Sequence, residues 1–360
     1  IQQIQKYEEE QGDKKGKLPV QQFKSKQATN PDQKITIAQN APKIHTQKQQ
    51  QDFTTTWKKS DFQKLQKLGK GKFGEVHLYK EIATQKLVAI KKMDYDTEQE
   101  KELVNKEIAM MRNVCNILRQ NSTISFLPVV EPLGFFLNDN KDKAFLVLEY
   151  CSNGDLRKYI ESMKKSRMEI TPQLAYEIIA QIAFSMNQLH ANGIIHSDLK
   201  PENVLLTEDF KVKLADFGLA RQLQLGKDYT TNHGGTFLFQ APEVLSNKNK
   251  DSSDKDQIED KRLALKLIQT TAVDIWAIGV MLFELLAQRH PFFDSQTEAD
   301  VSAEEFIHRV ISLPPAELPD HYPINLRNLI RRMLIKDPAQ RIQADQILEL
   351  PEVAAQLSQK

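Results

Sequence analysis

Residues 194–206 read IIHSDLKPENVLL, in which two apolar runs enclose a polar loop of eight residues. Each apolar run has the length and composition of a short strand. Three residues of the loop suit catalysis: Asp198 can accept or orient a hydroxyl proton, Lys200 can neutralise an anionic group and Asn203 can bind a metal ion. An isolated Asp198 would be an ordinary turn residue, but the complete run favours catalysis. We expect His196 to be a core residue that braces the loop.

A second acidic position lies in the stretch LADFG at 214–218, where Asp216 follows a short apolar run. A carboxylate is a hard oxygen ligand of the kind that Mg²⁺ prefers. Phe217 is predicted to pack in the core, and Gly218 to allow a sharp turn. Asn203 and Asp216 are therefore the predicted metal ligands.

Upstream, the stretch GKGKFGEV at 69–76 is weak evidence by itself, because an ordinary flexible hairpin can contain the same glycines. Glycine lets backbone amides approach a polyphosphate closely. A dinucleotide-binding fold would continue into a helix, with an acidic residue about 20 residues later. Here the chain instead alternates like a strand and leads to VAIK at 88–91. This order indicates a glycine-rich hairpin lying over nucleotide phosphates.

Lys91 ends an apolar strand, where its charge must face an anion or water. The functional interpretation is an ion pair with nucleotide phosphates and with an acid on the helix predicted over 97–118. Glu107 is the preferred acid and Glu102 the second choice, while a solvated strand end is the alternative. The residues predicted to share the apolar face of this helix are Leu103, Ile108, Met111, Cys115 and Leu118.

The composition is that of a folded protein, with 360 residues, 40% hydrophobic and 27% charged, enough for two or three modest folding units. A net charge of +1 argues against an electrostatic nucleic-acid binder. Cys115 and Cys151 exclude a disulfide framework, lack zinc spacing and fit a reducing compartment. No apolar run is long enough to span a membrane, and no signal peptide is evident. Because the chain begins with Ile1, we expect it to be a fragment of a longer protein.

The distribution of predicted strands and helices divides the chain into parts. Residues 1–56 are rich in Gln and Lys and are predicted to be a disordered tail, with a short docking motif at 34–37 as the alternative. Residues 62–150 are predicted to be mainly strands and 151–352 mainly helices. This order suggests two lobes with a ligand-binding cleft between them. The polar segment 246–270 is predicted to be a surface insertion.

Over residues 62–352 the chain resembles the eukaryotic protein kinases. The motifs that carry the resemblance occur in the family's order: GKGKFGEV at 69–76, VAIK at 88–91, HSDLKPEN at 196–203, DFG at 216–218, APE at 241–243, Asp274 with Trp276 and Gly279, and Asp337-Pro338 with Arg341. The resemblance implies an α+β, bilobal protein-kinase-like fold, with a β-rich N-lobe, a mainly helical C-lobe and an ATP cleft between them. It also implies a buried ion pair between Glu243 and Arg341, and anchoring of the catalytic-loop backbone by Asp274.

The same resemblance implies ATP and Mg²⁺ as cofactors and assigns the site residues. Those expected to bind the nucleotide are Leu68, Gly69, Gly71, Gly74, Val76, Ala89, Lys91, Leu148, Glu149, Cys151, Asp155 and Leu205. The expected catalytic residues are Asp198, Lys200, Lys91, Glu107 and Thr236, and the expected metal ligands are Asn203 and Asp216. The apolar column that the family assembles in its active state would contain Met111, Leu133, His196 and Phe217.

Lys200 and Thr236 resemble the serine/threonine branch of the family. The expected activity is therefore transfer of the γ-phosphoryl group of Mg-ATP to Ser or Thr hydroxyls of protein substrates. The polar catalytic residues that non-catalytic relatives commonly lack are all present, which favours an enzyme over a binding scaffold. Asp155 and Glu202 could favour a basic residue upstream of the target hydroxyl, although either acid could simply be solvated.

The expected partners are protein substrates, with a regulatory partner as an open alternative, and neither nucleic acid nor membrane is expected. The oligomeric state is left open, and the expected location is the cytoplasm, with the nucleus as the alternative.

One residue departs from the family's pattern, because Ser197 stands where an arginine usually precedes the catalytic aspartate. That arginine reads a phosphate on the activation loop through charge-assisted hydrogen bonds, which a serine cannot do. We therefore expect phosphorylation of Tyr229, Thr230 or Thr231 to be less strictly required than in kinases with the arginine.

Overall fold

The computed structural model describes residues 53–71, 74–121, 126–223, 236–248, 270–294, 298 and 301–358. Nearly all of the predicted tail lies outside the described residues. So do most of the predicted insertion and the three candidate phosphorylation positions at 229–231.

The N-terminal part is a five-stranded antiparallel sheet with the order β1-β2-β3-β5-β4. Its strands are β1 (Phe62–Gly71), β2 (Gly74–Glu81), β3 (Leu87–Asp94), β4 (Pro132–Leu137) and β5 (Lys143–Glu149). In the centre of the sheet, Val88, Ala89, Ile90 and Lys91 are buried in succession, because both faces of β3 are covered. The predicted β-rich N-lobe is thus present.

A long helix, α1 (Glu98–Asn121), connects β3 to β4 and packs on the sheet. The predicted buried face was wrong at one position, because Leu103 is 59% exposed. Val104 is buried in its place. Residue 104 lies four residues before Ile108, about one helical turn, whereas residue 103 points well to the side of that face.

The C-terminal part is mainly helical. Its helices are α2 (Leu156–Ser166), α3 (Pro172–Ala191), α4 (Pro242–Lys248), α5 (Ala272–Ala287), α6 (Ala303–Ser312), α7 (Ile324–Met333), α8 (Ala344–Leu348) and α9 (Pro351–Ser358). At the start of helix α3, Pro172 occupies the first turn and the Thr171 side chain accepts a hydrogen bond from the Leu174 amide. Helix α5 is the centre of this lobe, because every residue from Val273 to Leu286 is buried.

Two short antiparallel pairs lie where the two parts meet and carry the polar loops. The strands are β6 (Ile194–Ile195) with β9 (Arg221–Gln222), and β7 (Val204–Leu206) with β8 (Val212–Leu214). The predicted bilobal α+β architecture is confirmed, and the two candidate catalytic loops follow β6 and β8.

The described chain begins to contact the sheet earlier than the sequence suggests. The tail was predicted to extend to residue 56, yet Thr54 forms a parallel bridge with Gly134 of β4. The interaction was missed because it is made by backbone groups, which leave no hydrophobic period in the sequence.

Among the helices that the structure describes, none combines the length and hydropathy needed to cross a membrane.

Candidate active site

A single buried carboxylate holds the loop that follows β6. The Asp274 side chain accepts hydrogen bonds from the backbone amides of His196 and Ser197, each at 2.9 Å, and lies 2.9 Å from His190 Nε2. Ser197 has a positive φ of 67°, which a non-glycine residue seldom adopts. These contacts from helix α5 fix the loop in a conformation that the loop alone would not favour.

Asp198 lies at the centre of a network of hydrogen bonds. Its Oδ1 atom accepts from the backbone amide of Thr236 at 2.7 Å and from the Thr236 hydroxyl at 2.8 Å. Lys200 Nζ lies 3.0 Å from Asp198 Oδ2 and 2.8 Å from Thr236 Oγ1. Asn203 Nδ2 donates to the Asp198 backbone carbonyl at 2.8 Å. Asp198 is thus held firmly, with a cationic group beside it.

Lys91 on β3 meets Glu107 on α1 in a buried ion pair. The Nζ to Oε1 distance is 2.5 Å, and Asp216 Oδ1 lies 3.6 Å from the same nitrogen. Burial opposes the charge on Lys91, but the carboxylates of Glu107 and Asp216 outweigh it and raise the pKa of the lysine. The second-choice acid, Glu102, is exposed. The structure therefore brings Lys91 together with the preferred acid.

The donor set near Asp216 fits Mg²⁺. Asp216 has a positive φ of 63°, and its Oδ1 atom is buried without a hydrogen-bond partner. Since Asn203 donates through its nitrogen, its side-chain oxygen is the atom able to ligate a cation. In the described part of the chain, no group of three or more His, Cys, Asp or Glu residues could hold a metal. Mg²⁺ commonly takes one or two protein carboxylates and completes its shell with water and phosphate oxygens.

The predicted nucleotide-binding residues are divided between the five-stranded sheet and the C-terminal lobe. On the sheet, Gly71 pairs with Gly74, Gly69 with Val76 and Ala89 with Leu148. Gly74 has a φ of 139°, and a side chain at this position would meet the Lys92 carbonyl oxygen at 2.1 Å. Only glycine therefore fits at position 74, the first residue of β2.

The strand that leaves the sheet continues into the connection between the lobes. Leu148 and Glu149 end β5, and Cys151 is buried just beyond it. On the opposite side, Leu205 of β7 forms a bridge with Asp155. Lys158 Nζ lies 3.5 Å from the Leu68 carbonyl, which links β1 to helix α2. The start of helix α2 thus contacts predicted nucleotide residues of both lobes, Leu205 through Asp155 and Leu68 through Lys158.

The protein kinase domain family matches residues 62–351 of this chain, which include all the groups described above. The chain belongs to this family.

Several curated relatives are similar to this kinase domain. Serine/threonine-protein kinase PLK4 of Nematostella vectensis is 32% identical over 296 residues, which are 82% of this chain and 26% of that protein. Aurora kinase of Schizosaccharomyces pombe is 30% identical over 284 residues, 79% of this chain and 69% of that protein. Serine/threonine-protein kinase RUNKEL of Arabidopsis thaliana is 37% identical over 203 residues, 55% of this chain and 13% of that protein. The kinase chain thus spans about a quarter of the length of its PLK4 relatives.

The kinase's apolar column is only partly as predicted. Met111 and Phe217 are buried in the main hydrophobic cluster, and the buried His196 lies beside Phe217, with ring centroids 4.9 Å apart. His196 Nε2 lies 3.1 Å from the Ala215 carbonyl, so the histidine braces the loop. The assignment of Leu133 was wrong, because this residue packs in a separate cluster on the other face of the sheet. A register shift between Pro132 and Gly134 changes which side chains of β4 face α1.

Sequence reasoning missed two features of the kinase site. Arg157 bridges Glu202 and Glu284 with distances of 2.8 and 2.9 Å, so Glu202 is not simply a solvated acid. The buried Lys213 lies 2.8 Å from the carboxylate of Glu149, at the end of β5. A lysine in the apolar strand β8 was the available signal, since a buried ammonium group needs a partner.

Proposed function

We propose that this chain is an active protein kinase that transfers the γ-phosphoryl group of ATP to Ser or Thr hydroxyls of proteins. The observation that carries the proposal is the joint arrangement of two sites. Asp198 is held by Thr236, Lys200 and Asn203, while the ion pair of Lys91 with Glu107 is formed beside Asp216. Both arrangements are needed for phosphoryl transfer.

On the acceptor side, Asp198 orients the substrate hydroxyl and takes its proton as the new O–P bond forms. Lys200 lies 3.0 Å from Asp198 and can offset negative charge on the phosphoryl group in flight. Thr236 donates two hydrogen bonds to Asp198 and limits the rotation of its carboxylate. These three residues therefore position the hydroxyl and compensate developing charge.

On the nucleotide side, the glycines at 69, 71 and 74 let backbone amides approach the phosphates, and Lys91 contacts them through its ammonium group. Glu107 keeps Lys91 extended toward the cleft. Asn203 and Asp216 would hold Mg²⁺, which neutralises charge on the phosphate oxygens when bound. Leu68, Val76, Ala89, Leu148, Cys151 and Leu205 would supply apolar surface for adenine, the backbone of Glu149 and Cys151 would supply polar groups, and Asp155 would contact the ribose.

The decisive experiment measures phosphate transfer from γ-labelled ATP in the presence of Mg²⁺ to a mixed Ser, Thr and Tyr peptide library. We compare the full chain with Asp198→Ala and with the control Asp320→Ala, whose exposed carboxylate pairs only with Arg327 among the described residues. We expect transfer to Ser and Thr that Asp198→Ala abolishes and the control retains. Nucleotide binding without transfer by the wild type would instead favour a binding scaffold.

The activity of the whole protein, its substrates and its partners belong to the same proposal. The relatives named as serine/threonine-protein kinases support the choice of acceptor. A location in the cytoplasm, with the nucleus as the alternative, remains a prediction from the sequence.

A further inference from the structure

Five residues before the kinase domain form a strap on the edge of the sheet. We define the strap as residues 53–57, which precede the domain match at 62. The Thr54 amide donates to the Leu133 carbonyl at 2.9 Å, and the Phe135 amide donates to the Thr54 carbonyl at 2.9 Å. These bonds attach the strap to β4, the outermost strand on that side.

The sheet is shaped to accept the strap at Gly134. A side chain at this position would meet the Thr54 carbonyl oxygen at 2.3 Å and the Trp57 ring at 2.5 Å. Such distances are too short for any larger residue without displacing the strap. The absence of a side chain at Gly134 therefore allows the close backbone approach.

The two ends of the strap reach the two hydrophobic clusters of the N-lobe. Trp57 packs in the cluster that contains Phe62, with ring centroids 5.3 Å apart, and its indole nitrogen donates to Glu81 at 3.1 Å. Phe53 packs against the main cluster, which contains Met111 of helix α1. The strap thus spans the sheet edge from one cluster to the other.

Phe53 also makes a direct contact with the helix that carries Glu107. The guanidinium carbon of Arg112 lies 4.5 Å above the centroid of the Phe53 ring, a cation–π geometry. Arg112 lies on α1 five residues after Glu107, and Met111 is its immediate neighbour. A shift of the strap would therefore change the support of α1 close to the ion pair with Lys91.

We infer that the strap positions helix α1 so that Glu107 reaches Lys91, with Phe53 acting as a positioning residue through Arg112. This inference rests on the proposed kinase activity for its kinetic consequence. Its structural consequence, ordering of α1, does not depend on activity. The strap thus contributes to the position of α1 in the N-lobe, although it lies outside the residues that match the kinase family.

The test uses the full chain with Phe53→Ala, the conservative Phe53→Tyr, and Thr54→Pro, which removes the amide that donates to Leu133. Phe210→Ala is the matched control, because Phe210 is a half-exposed aromatic residue that contacts Tyr159 in the other lobe. For each variant we measure kcat, KM for the peptide, and hydrogen–deuterium exchange of residues 98–121.

We expect Phe53→Ala and Thr54→Pro to lower kcat by roughly threefold to tenfold, the size of a lost cation–π contact. The peptide KM should not change, because the strap is bonded to β4 of the sheet, whereas the acceptor groups Asp198, Lys200 and Thr236 belong to the C-terminal lobe. Exchange of α1 amides should accelerate, while Phe53→Tyr and the control behave as the wild type. If the strap had a merely structural role, its variants would lower the thermal stability of the protein. The exchange of α1 amides would then not accelerate selectively, and Phe53→Tyr would not restore kcat.

Unchanged kcat and unchanged α1 exchange in both strap variants would overturn the inference. If the wild type itself transfers no phosphate, the proposed function fails, and the exchange measurement alone then decides whether the strap orders α1.

Discussion

Arg341 and Glu243 lie 98 residues apart in the sequence, yet their side chains form a two-point ion pair with distances of 2.8 and 3.0 Å. Arg341 is 3% exposed and also donates to the carbonyls of Ile335 and Ala272. One buried guanidinium therefore ties the start of α4 and the start of α5 to the loop after α7. The family resemblance implied this pair, and the structure contains it.

Replacing Arg341 with Gln should lower the free energy of unfolding by about 3–5 kcal/mol, because Glu243 would keep a buried charge without its partner. Urea unfolding followed by tryptophan fluorescence measures the change. Arg331→Gln is the control, since Arg331 pairs with Glu317 on the surface and should change stability by at most about 1 kcal/mol. If both variants lowered the free energy of unfolding equally, Arg341 would not have the stabilising role assigned to it.

Glu107→Gln should lower kcat by about tenfold to a hundredfold with little loss of folding, because an amide cannot balance the charge of Lys91. Steady-state kinetics with varied ATP measures the effect. Glu102→Gln is a matched change on an exposed position of the same helix and should leave kcat unaltered. If Glu102→Gln were the damaging variant, the assignment of the pair to Glu107 would be wrong.

The departure at Ser197 predicts a weak dependence on activation-loop phosphorylation. The triple variant Tyr229→Ala, Thr230→Ala and Thr231→Ala should keep kcat within about threefold of the wild type, because no arginine at 197 is present to bind a phosphate. Peptide phosphorylation before and after phosphatase treatment provides the comparison. Complete loss of activity in the triple variant, restored by no other change, would refute this expectation.

His290 predicts a loss of stability in mild acid. Its Nε2 atom lies 3.0 Å from the Leu238 carbonyl, and its Nδ1 atom accepts from the Phe292 amide, so the ring is neutral. Burial lowers the pKa of His290 from 6.5 to about 4, with a small contribution from the positive charge of Arg157. The unfolded chain therefore binds a proton more readily than the folded chain between those pH values.

The contribution of the neutral His290 ring to the free energy of unfolding is thus complete above pH 6.5 and is lost as the pH falls toward 4. The predicted decrease in the free energy of unfolding over this pH range is about 3 kcal/mol. Urea unfolding at several pH values checks it, and His290→Gln should flatten the profile in this window. An identical slope in the wild type and the variant would assign the acid sensitivity to other groups.

Arg157 predicts low selectivity for basic substrates. It neutralises Glu202 and Glu284, and Asp155 pairs with Lys158 at 2.9 Å, so the two acids that could attract a basic residue already have partners within the chain. The wild type should therefore treat peptides with Arg or Gln before the target serine alike, within about threefold in kcat/KM.

The double variant Arg157→Gln and Glu284→Gln leaves no buried charge unpaired and releases Glu202. Its kcat/KM ratio for Arg over Gln peptides should rise by roughly threefold to tenfold. Adding Glu202→Gln should cancel the rise. A strong preference for basic peptides in the wild type would show that Arg157 does not block this position.

The motifs with fixed spacing were predictable from the sequence because their residue types are dictated by chemistry. Asp198, Asn203 and Asp216 are recognisable in this way, and glycine is required by the backbone at Gly74 of β2. The helix over α1 was predictable from its apolar period. Leu103 was assigned to the buried face in error, because Val104, four residues before Ile108, fits the helical period of that face.

Interactions between distant segments could not be read from the sequence. The position of Leu133 depends on an irregular register in β4, and the strap depends on backbone hydrogen bonds to that strand. Neither the irregular register nor these backbone hydrogen bonds produce a periodic pattern in the sequence. The bridge of Arg157 to Glu202 and Glu284 joins residues as far as 127 positions apart, and charged residues of this kind look solvated in a sequence.

The close fit of the strap over Gly134 also bears on how copies of this protein avoid one another. An outer strand presents unpaired amide and carbonyl groups, which can pair with a strand of a second molecule and begin aggregation. On β4 the Leu133 carbonyl and the Phe135 amide are occupied by Thr54. Removing the strap would expose these groups together with the apolar surface under Trp57. The strap therefore also protects the edge of the sheet from pairing with the edge of a second molecule.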